Sequence, residues 1–168
     1  MFFAAWPAPE VQRALGEIAQ QAGVECGGRA VPAHNIHLTL LFIGDVARER
    51  VTALESLGAG TAAPAFELTL DRLQYWRHNR ILWAGAQECP EALLVLVKRL
   101  RESAAPAGFR VDERPYVPHV TLRREARCAP ANARIRVDWP VNDLALVESV
   151  ARGRGRVYEV LRRWPLAT

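Results

Sequence analysis

The chain has 168 residues, 50% of them hydrophobic and 24% charged, enough to bury a core and too apolar for a disordered or fibrous protein. No stretch of about 18 uninterrupted apolar residues occurs, so no membrane-spanning helix is expected. The net charge of +4 sits toward the C-terminus, where Arg123 to Arg163 hold ten Arg against five acids (Glu125, Asp138, Asp143, Glu148, Glu159), an excess suited to RNA or a phosphorylated ligand.

The opening MFFAAWPAPE has neither the basic lead nor the apolar run of a secretory signal, and a cytoplasmic protein is expected. Residues 2–6, FFAAW, form a first strand stopped by Pro7 and Pro9. Val11, Ala14, Leu15 and Ile18 then recur at the helical spacing, with Gly23 as the stop. Turn residues in CGGRAVPAH lead to an apolar strand in HNIHLTLLFIGDV, residues 34–46. Val51, Leu54 and Leu57 mark a second helix closed by GAG. AFELTLDRLQYW alternates with period two and pairs with NRILWAG across the turn-like RHN. Leu93, Leu96, Val97 and Leu100 define a third helix, opened by Pro90 and Glu91 and ended before Pro106. HVTLRR, ARIRVDW, DLALVESV and RVYEVLRRW are four further strands, with turns at Pro130, at 140–142 and at 153–155. Cys26, Cys89 and Cys128 are odd in number, scattered and without a C-x-x-C, so neither a disulfide framework nor a zinc site is expected.

Two short stretches carry chemistry. In HNIHLTL, alternation puts His37 and Thr39 on one face and Leu38 and Leu40 on the other. PYVPHVTLRR repeats the arrangement as His119, Val120, Thr121 and Leu122. One strand histidine is ordinarily a hydrogen-bonded structural residue, but a repeated H-x-T in a chain with four histidines and six threonines exceeds coincidence. Imidazole titrates near 6.5, so of two rings one can accept a proton while the other, raised by a nearby phosphate, donates one. The two hydroxyls would hold nonbridging phosphate oxygens. This is a complete acid–base pair with no metal and no cofactor.

The residues NIHLTLLFIGDV and RPYVPHVTLRR resemble the paired signatures of the two-histidine phosphoesterase superfamily, in particular its bacterial RNA 2′,3′-cyclic phosphodiesterases, formerly called 2′-5′ RNA ligases. FFAAWPAPEVQRAL, NRILWAG and VESVARGRGRVYEVLRRWPL are similar to that family's opening, middle and closing segments. The resemblance implies an α+β fold, a single domain over 1–168 of two pseudo-symmetric lobes of mainly antiparallel sheet flanked by helices, with the groove between them. It implies opening of a terminal 2′,3′-cyclic phosphate to a 2′-phosphomonoester, with a weak reverse joining of ends. His37 would be the proton donor and His119 the acceptor. Thr39, Thr121 and Arg124 would bind the phosphate. Arg123 departs from the family pattern, and alternation puts it on the face of His119, either reaching substrate or pointing beyond the groove.

Tyr75 and Trp76 are further candidate substrate contacts, as are Phe42 and Trp83, because RNA ends are read by aromatic faces; for Trp83 core packing is the stronger expectation. Ser149 and Tyr158 match closing-strand positions. His34 faces away from His37 and has no carboxylate or thiol cluster with it, so no metal site is expected, and His78 is a turn residue beside the RNA at most. The expected partners are RNA ends with a 2′,3′-cyclic phosphate or small cyclic nucleotides, with no membrane and no obligate protein partner. The alternatives are a catalytically idle RNA-binding module using the same groove, and a metal-dependent phosphatase, which the missing carboxylate cluster argues against. Of the 22 basic residues 21 are Arg, a bias that genome composition alone can supply, so charge does not by itself decide among them.

Overall fold

The structure is a computed structural model and describes residues 1–131, 133–153 and 155–167. In chain order it has β1 (Phe2–Ala5), α1 (Pro9–Cys26), β2 (Arg29–Ala30), β3 (Leu38–Phe42), α2 (Val51–Gly60), β4 (Phe66–Leu70), β5 (Arg72–Trp76), β6 (Ile81–Gly85), α3 (Glu91–Ala104), β7 (Val120–Arg124), β8 (Val137–Val141), β9 (Asp143–Arg152) and β10 (Gly155–Pro165). No helix among the described residues is long and apolar enough to cross a membrane.

Mixed helices and antiparallel strands make this an α+β fold. One sheet runs β10-β9-β1-β3-β7-β6-β5, with β2 paired to β7, and β4 and β8 form a separate pair. The two motif strands are therefore neighbours at its middle, joined through Leu38 and Val120. Each is backed by the helix that follows a strand of the other half: α1 packs on β7 and α3 on β3. This interleaving merges the apolar faces into one core that includes Leu15, Leu38, Leu93, Leu100 and Leu122, all buried.

Several elements differ from their sequence expectations. AFELTLDRLQYW is two strands broken at Asp71, and only β5 pairs with NRILWAG; β4 pairs with β8 instead. The Asp71 carboxylate accepts from the Gln87 N–H at 2.8 Å, so the break is held by a partner remote in sequence. Pro140 and Val141 belong to β8 rather than to a turn, which an outer strand allows because its missing N–H is not needed in the ladder. The turn expected at 153–155 contains Arg154, which lies outside the described residues.

Helix α1 runs three residues past Gly23, to Cys26. Gly23 is needed for space: a Cβ there would lie 2.5–2.6 Å from the Arg123 guanidinium. Cys26 and Cys128, expected as thiols, form a disulfide with Cα atoms 5.1 Å apart across a separation of 102 residues. The pairing joins the end of α1 to the segment after β7, a closeness that only the tertiary fold creates. Cys89 alone is a free cysteine.

Candidate active site

His37 enters from a short 3-10 turn, Ala33–Asn35, immediately before β3, and His119 stands immediately before β7. Their backbones fix both rings in the same way. His37 Nδ1 lies 2.7 Å from the Asn35 carbonyl, and His119 Nδ1 lies 2.8 Å from the Val117 carbonyl, each two residues upstream. A carbonyl has no proton to give, so each Nδ1 must carry the hydrogen. In the neutral ring Nε2 is then the basic nitrogen, and in His37 it accepts from the Thr39 hydroxyl at 3.0 Å.

Both motif strands contain a bulge one residue after the threonine. Ala4 opposes Thr39 while Phe3 opposes Leu41, leaving Leu40 extra; Trp83 opposes Thr121 while Leu82 opposes Arg123, leaving Leu122 extra. A bulge adds one residue and so resets which face the following side chains take. The burial of the two strands is consequently identical position by position, with Leu41 and Arg123 buried and Phe42 and Arg124 exposed. The resetting decides the fate of the two arginines.

Arg123 does not reach the groove. It is 6% exposed and points to the end of α1, where its Nε donates to Gly27 (2.7 Å), NH1 to Ala19 (2.6 Å) and NH2 to Gly28 (2.7 Å), all backbone carbonyls. It satisfies the Gly27 and Gly28 carbonyls just past the helix C-terminus and adds a bond to the Ala19 carbonyl within the helix, and its charge complements the dipole at that end. Arg124 lines the groove with His37, His119, Thr39 and Thr121. Beside it β2 lies against β7, a fit that requires Gly28: its φ is +74° and a Cβ would collide with the Arg124 carbonyl.

The groove has a volume of about 740 Å3. Trp76 lines it, its ring 4.6 Å from that of His119 and edge-on to it. Trp83 is buried behind both, 4.9 Å from Trp76 and 6.1 Å from His119. Tyr75, one residue from Trp76, takes the opposite face as alternation requires. It packs on Ala22, Leu82 and Ala126 and donates to the Ala126 carbonyl at 3.0 Å, away from the groove. His78 lies in the turn after β5, and His34 is in the turn before β3, outside the groove.

Several residues in the groove or packed on its histidines have no role in the sequence reading. Phe2 and Trp6 stack on His37 with centroids 4.8 and 5.5 Å away, and Tyr158 meets it edge-on at 5.1 Å. Asn35, 4% exposed, donates to the Arg156 carbonyl (2.8 Å) and accepts from the Tyr158 N–H (3.1 Å), which fastens β10 to the His37 turn. Arg156 in turn donates to the Ser149 hydroxyl at 2.9 Å and lines the groove with Arg29. For Phe2 and Trp6 the signal was present in the parity of positions 2, 4 and 6, which puts them on one face of the first strand expected over 2–6; Asn35 lies in the 3-10 turn before β3, where strand parity does not apply.

The aromatic packing has an electrostatic consequence. Burial pushes His37 down to about 4, overcoming the bond to the Asn35 carbonyl, with His119 and Arg124 acting in the same direction. His119 is also lowered, chiefly by burial. At neutral pH both rings of the free protein are thus neutral bases, beside two threonines and a fixed positive charge. A phosphate anion beside them would counteract the burial and let one ring hold a proton.

The LigT-like phosphoesterase family model matches residues 6–83 and 85–157. The RNA 2′,3′-cyclic phosphodiesterase of Escherichia coli is 40% identical over 142 residues, covering 83% of this chain and 80% of that protein. That of Thermus thermophilus is 32% identical over 180 aligned positions, covering 99% and 89%. The crystal structure of E. coli LigT complexed with 3′-AMP superposes with a TM-score of 0.89 at 35% identity, covering 99% of this chain and 97% of that one.

Proposed function

Because the chain belongs to the LigT-like phosphoesterase family, we propose that it opens 2′,3′-cyclic phosphates, on RNA ends or small nucleotides, to 2′-phosphomonoesters without a metal. The activity is that of an RNA 2′,3′-cyclic phosphodiesterase, carried by a single bilobal domain over 1–168. The observation that carries this reading is the pair of equivalent histidines at the heads of adjacent strands, each with Nδ1 tied to a carbonyl and both lining a groove with Thr39, Thr121 and Arg124.

In the reaction a water oxygen attacks phosphorus opposite O3′, and His119 Nε2 takes its proton. The P–O3′ bond breaks, His37 Nε2 gives its proton to O3′, and the P–O2′ bond remains. Thr39, Thr121 and Arg124 hold the nonbridging oxygens, where charge concentrates in the transition state. Arg124→Ala is expected to lower kcat/KM about 10- to 100-fold, the effect of losing a hydrogen bond to a charged group worth about 1.5–3 kcal/mol. A loss under about threefold would remove Arg124 from the phosphate site.

The lowered histidines set the pH dependence. The value of kcat/KM reports the free protein, which needs one ring protonated and one neutral, so it should peak on the acid side of pH 6.5 and decline toward pH 8. Because the bound anion raises both rings, the kcat optimum should lie at higher pH. A kcat/KM optimum above pH 7 would contradict the burial argument. The cytoplasm expected from the sequence is the compartment of this proposal, with the Cys26–Cys128 pair, a kind of bond rare in that compartment, standing against it.

The reading is tested by turnover of a 2′,3′-cyclic nucleotide and a short RNA with that end, both in excess chelator. Turnover of either supports it. RNA binding with no turnover of either leaves an idle binding module, and activity lost in chelator indicates a metal mechanism.

A further inference from the structure

The groove wall beside His37 is the end of the β9–β10 hairpin, and the sheet does not hold it there. β1 pairs with β9 only through Ala145, Leu146 and Val147, so β9 from Glu148 onward and β10 up to Glu159 run past the sheet and pair with each other alone. None of the described residues in this projecting end is buried, whereas Leu144 to Val147 all are. It nevertheless supplies Gly155, Arg156 and Tyr158 to the groove.

Asn35 meets this end. Three polar side chains are buried among the described residues, those of Asn35, Thr61 and Arg123, and of these Asn35 lines the groove. Its Nδ2 donates to the Arg156 carbonyl at 2.8 Å and its Oδ1 accepts from the Tyr158 N–H at 3.1 Å. The amide can sit only this way round, because a carbonyl accepts and an N–H donates. Residues 156 and 158 send their backbone groups to the same edge of β10, and one side-chain amide takes there the place of a neighbouring strand.

The turn that carries the amide is itself braced. The Asn35 N–H donates to the Pro32 carbonyl at 2.8 Å, the Asn35 carbonyl accepts from His37 Nδ1 at 2.7 Å, and Gln12 of α1 donates to the Ile36 carbonyl at 3.1 Å. The charged side chain that the hairpin brings to the groove is Arg156, and its guanidinium bonds the Ser149 hydroxyl within the same hairpin, so it moves with the hairpin end. Without the amide, the Arg156 carbonyl and Tyr158 N–H gain partners only by lifting into water, which would carry the guanidinium away from His37.

We propose that Asn35 is a positioning residue, a latch that holds the projecting β9–β10 end on the His37 turn and so places the Arg156 guanidinium against the substrate phosphate. This role rests on the reading of the groove as a cyclic-phosphate site. Asn35 touches no reacting atom. Its backbone carbonyl orients the His37 ring, and its side chain sets the reach of the cation on the opposite wall, so one residue keeps acid and anion site in register.

The latch is read first by hydrogen exchange. The Tyr158 N–H should be protected in the unsubstituted protein and should exchange at least about tenfold faster in Asn35→Leu, which keeps the side chain's size and removes both bonds. In turnover of a 2′,3′-cyclic nucleotide, Asn35→Leu should raise KM about tenfold with kcat within about threefold, because the carbonyl that orients His37 is retained. Asn35→Ala, which opens space instead of filling it, should show the same split. Arg156→Ala should raise KM by a similar factor, and in the Asn35→Leu background it should add about twofold or less. A loss of kcat at unchanged KM, or a full additional effect of Arg156→Ala in that background, would make Asn35 merely structural and overturns the positioning role. So does a Tyr158 N–H that exchanges at the free rate in the unsubstituted protein. Absence of turnover in the unsubstituted protein fails the underlying reaction instead, and a protected Tyr158 N–H would then leave the latch as a feature of the fold alone.

Discussion

Replacing either His37 or His119 by alanine is expected to lower kcat/KM for a 2′,3′-cyclic nucleotide about a thousandfold, within the 10²–10⁴ range of a single general acid or base. The two losses should not multiply. Acid and base act in one transition state, so the double variant should be little worse than either single one, with residual rate supplied by the threonines and Arg124. RNA affinity should change far less, because the basic groove residues remain. Steady-state kinetics with a binding titration separates these quantities. Turnover within about tenfold of the unsubstituted protein in either single variant would remove that ring from the reaction.

The second large effect concerns stability. Arg123→Leu is expected to destabilise the fold by about 3 kcal/mol, since the Gly27 and Gly28 carbonyls past the end of α1 lose a charged donor at 2.7 Å and a third bond, to the Ala19 carbonyl inside the helix, is also lost. For a domain of this size that lowers the thermal midpoint by about 10 °C. Well below the transition kcat/KM should stay within about twofold. Arg123→Lys should recover part of the loss, as an ammonium keeps the charge but cannot reach all three carbonyls from one planar fork. A tenfold fall in kcat/KM with an unchanged midpoint would mean that Arg123 reaches the substrate after all.

The contrast between Arg123 and Arg124 shows what could be read from the chain and what could not. The three helices followed from spacing alone, because Val11, Leu15, Leu54, Leu93, Leu96 and Leu100 are all buried as their periodicity requires. The two H-x-T strands followed from alternation, and their lining of a common groove was implied by the family resemblance. Alternation failed one residue beyond each threonine, where the bulges lie. Each bulge is defined by pairing with a strand remote in sequence, β1 against β3 and β6 against β7, and nothing local in LTLLF or VTLRR marks it. The same limit hid the Cys26–Cys128 pairing, the break at Asp71 and the fastening of β10 by Asn35.

The repetition extends from the motifs into their surroundings only in part. Thr39 and Thr121, Leu41 and Arg123, and Phe42 and Arg124 hold equivalent places on the two strands, with the same pattern of burial. Chemistry differs at the last pair. An aromatic face stands at one corner of the groove and a guanidinium at the other, so a symmetric pair of strands yields an asymmetric site. His37 is enclosed by Phe2, Trp6 and Tyr158, whereas His119 has Trp76 at its edge and open space beyond. That asymmetry distinguishes two otherwise identical rings and supports giving them different parts in the proposed reaction.

The position of the phosphate in the product tests the central claim most directly. With His37 delivering its proton to O3′, a 2′,3′-cyclic nucleotide incubated with the protein in chelator should give the 2′-monoester alone, identified by chromatography against both isomers. A 3′-monoester, or a mixture of the two, would contradict the assignment of His37 to O3′ and of His119 to the attacking water.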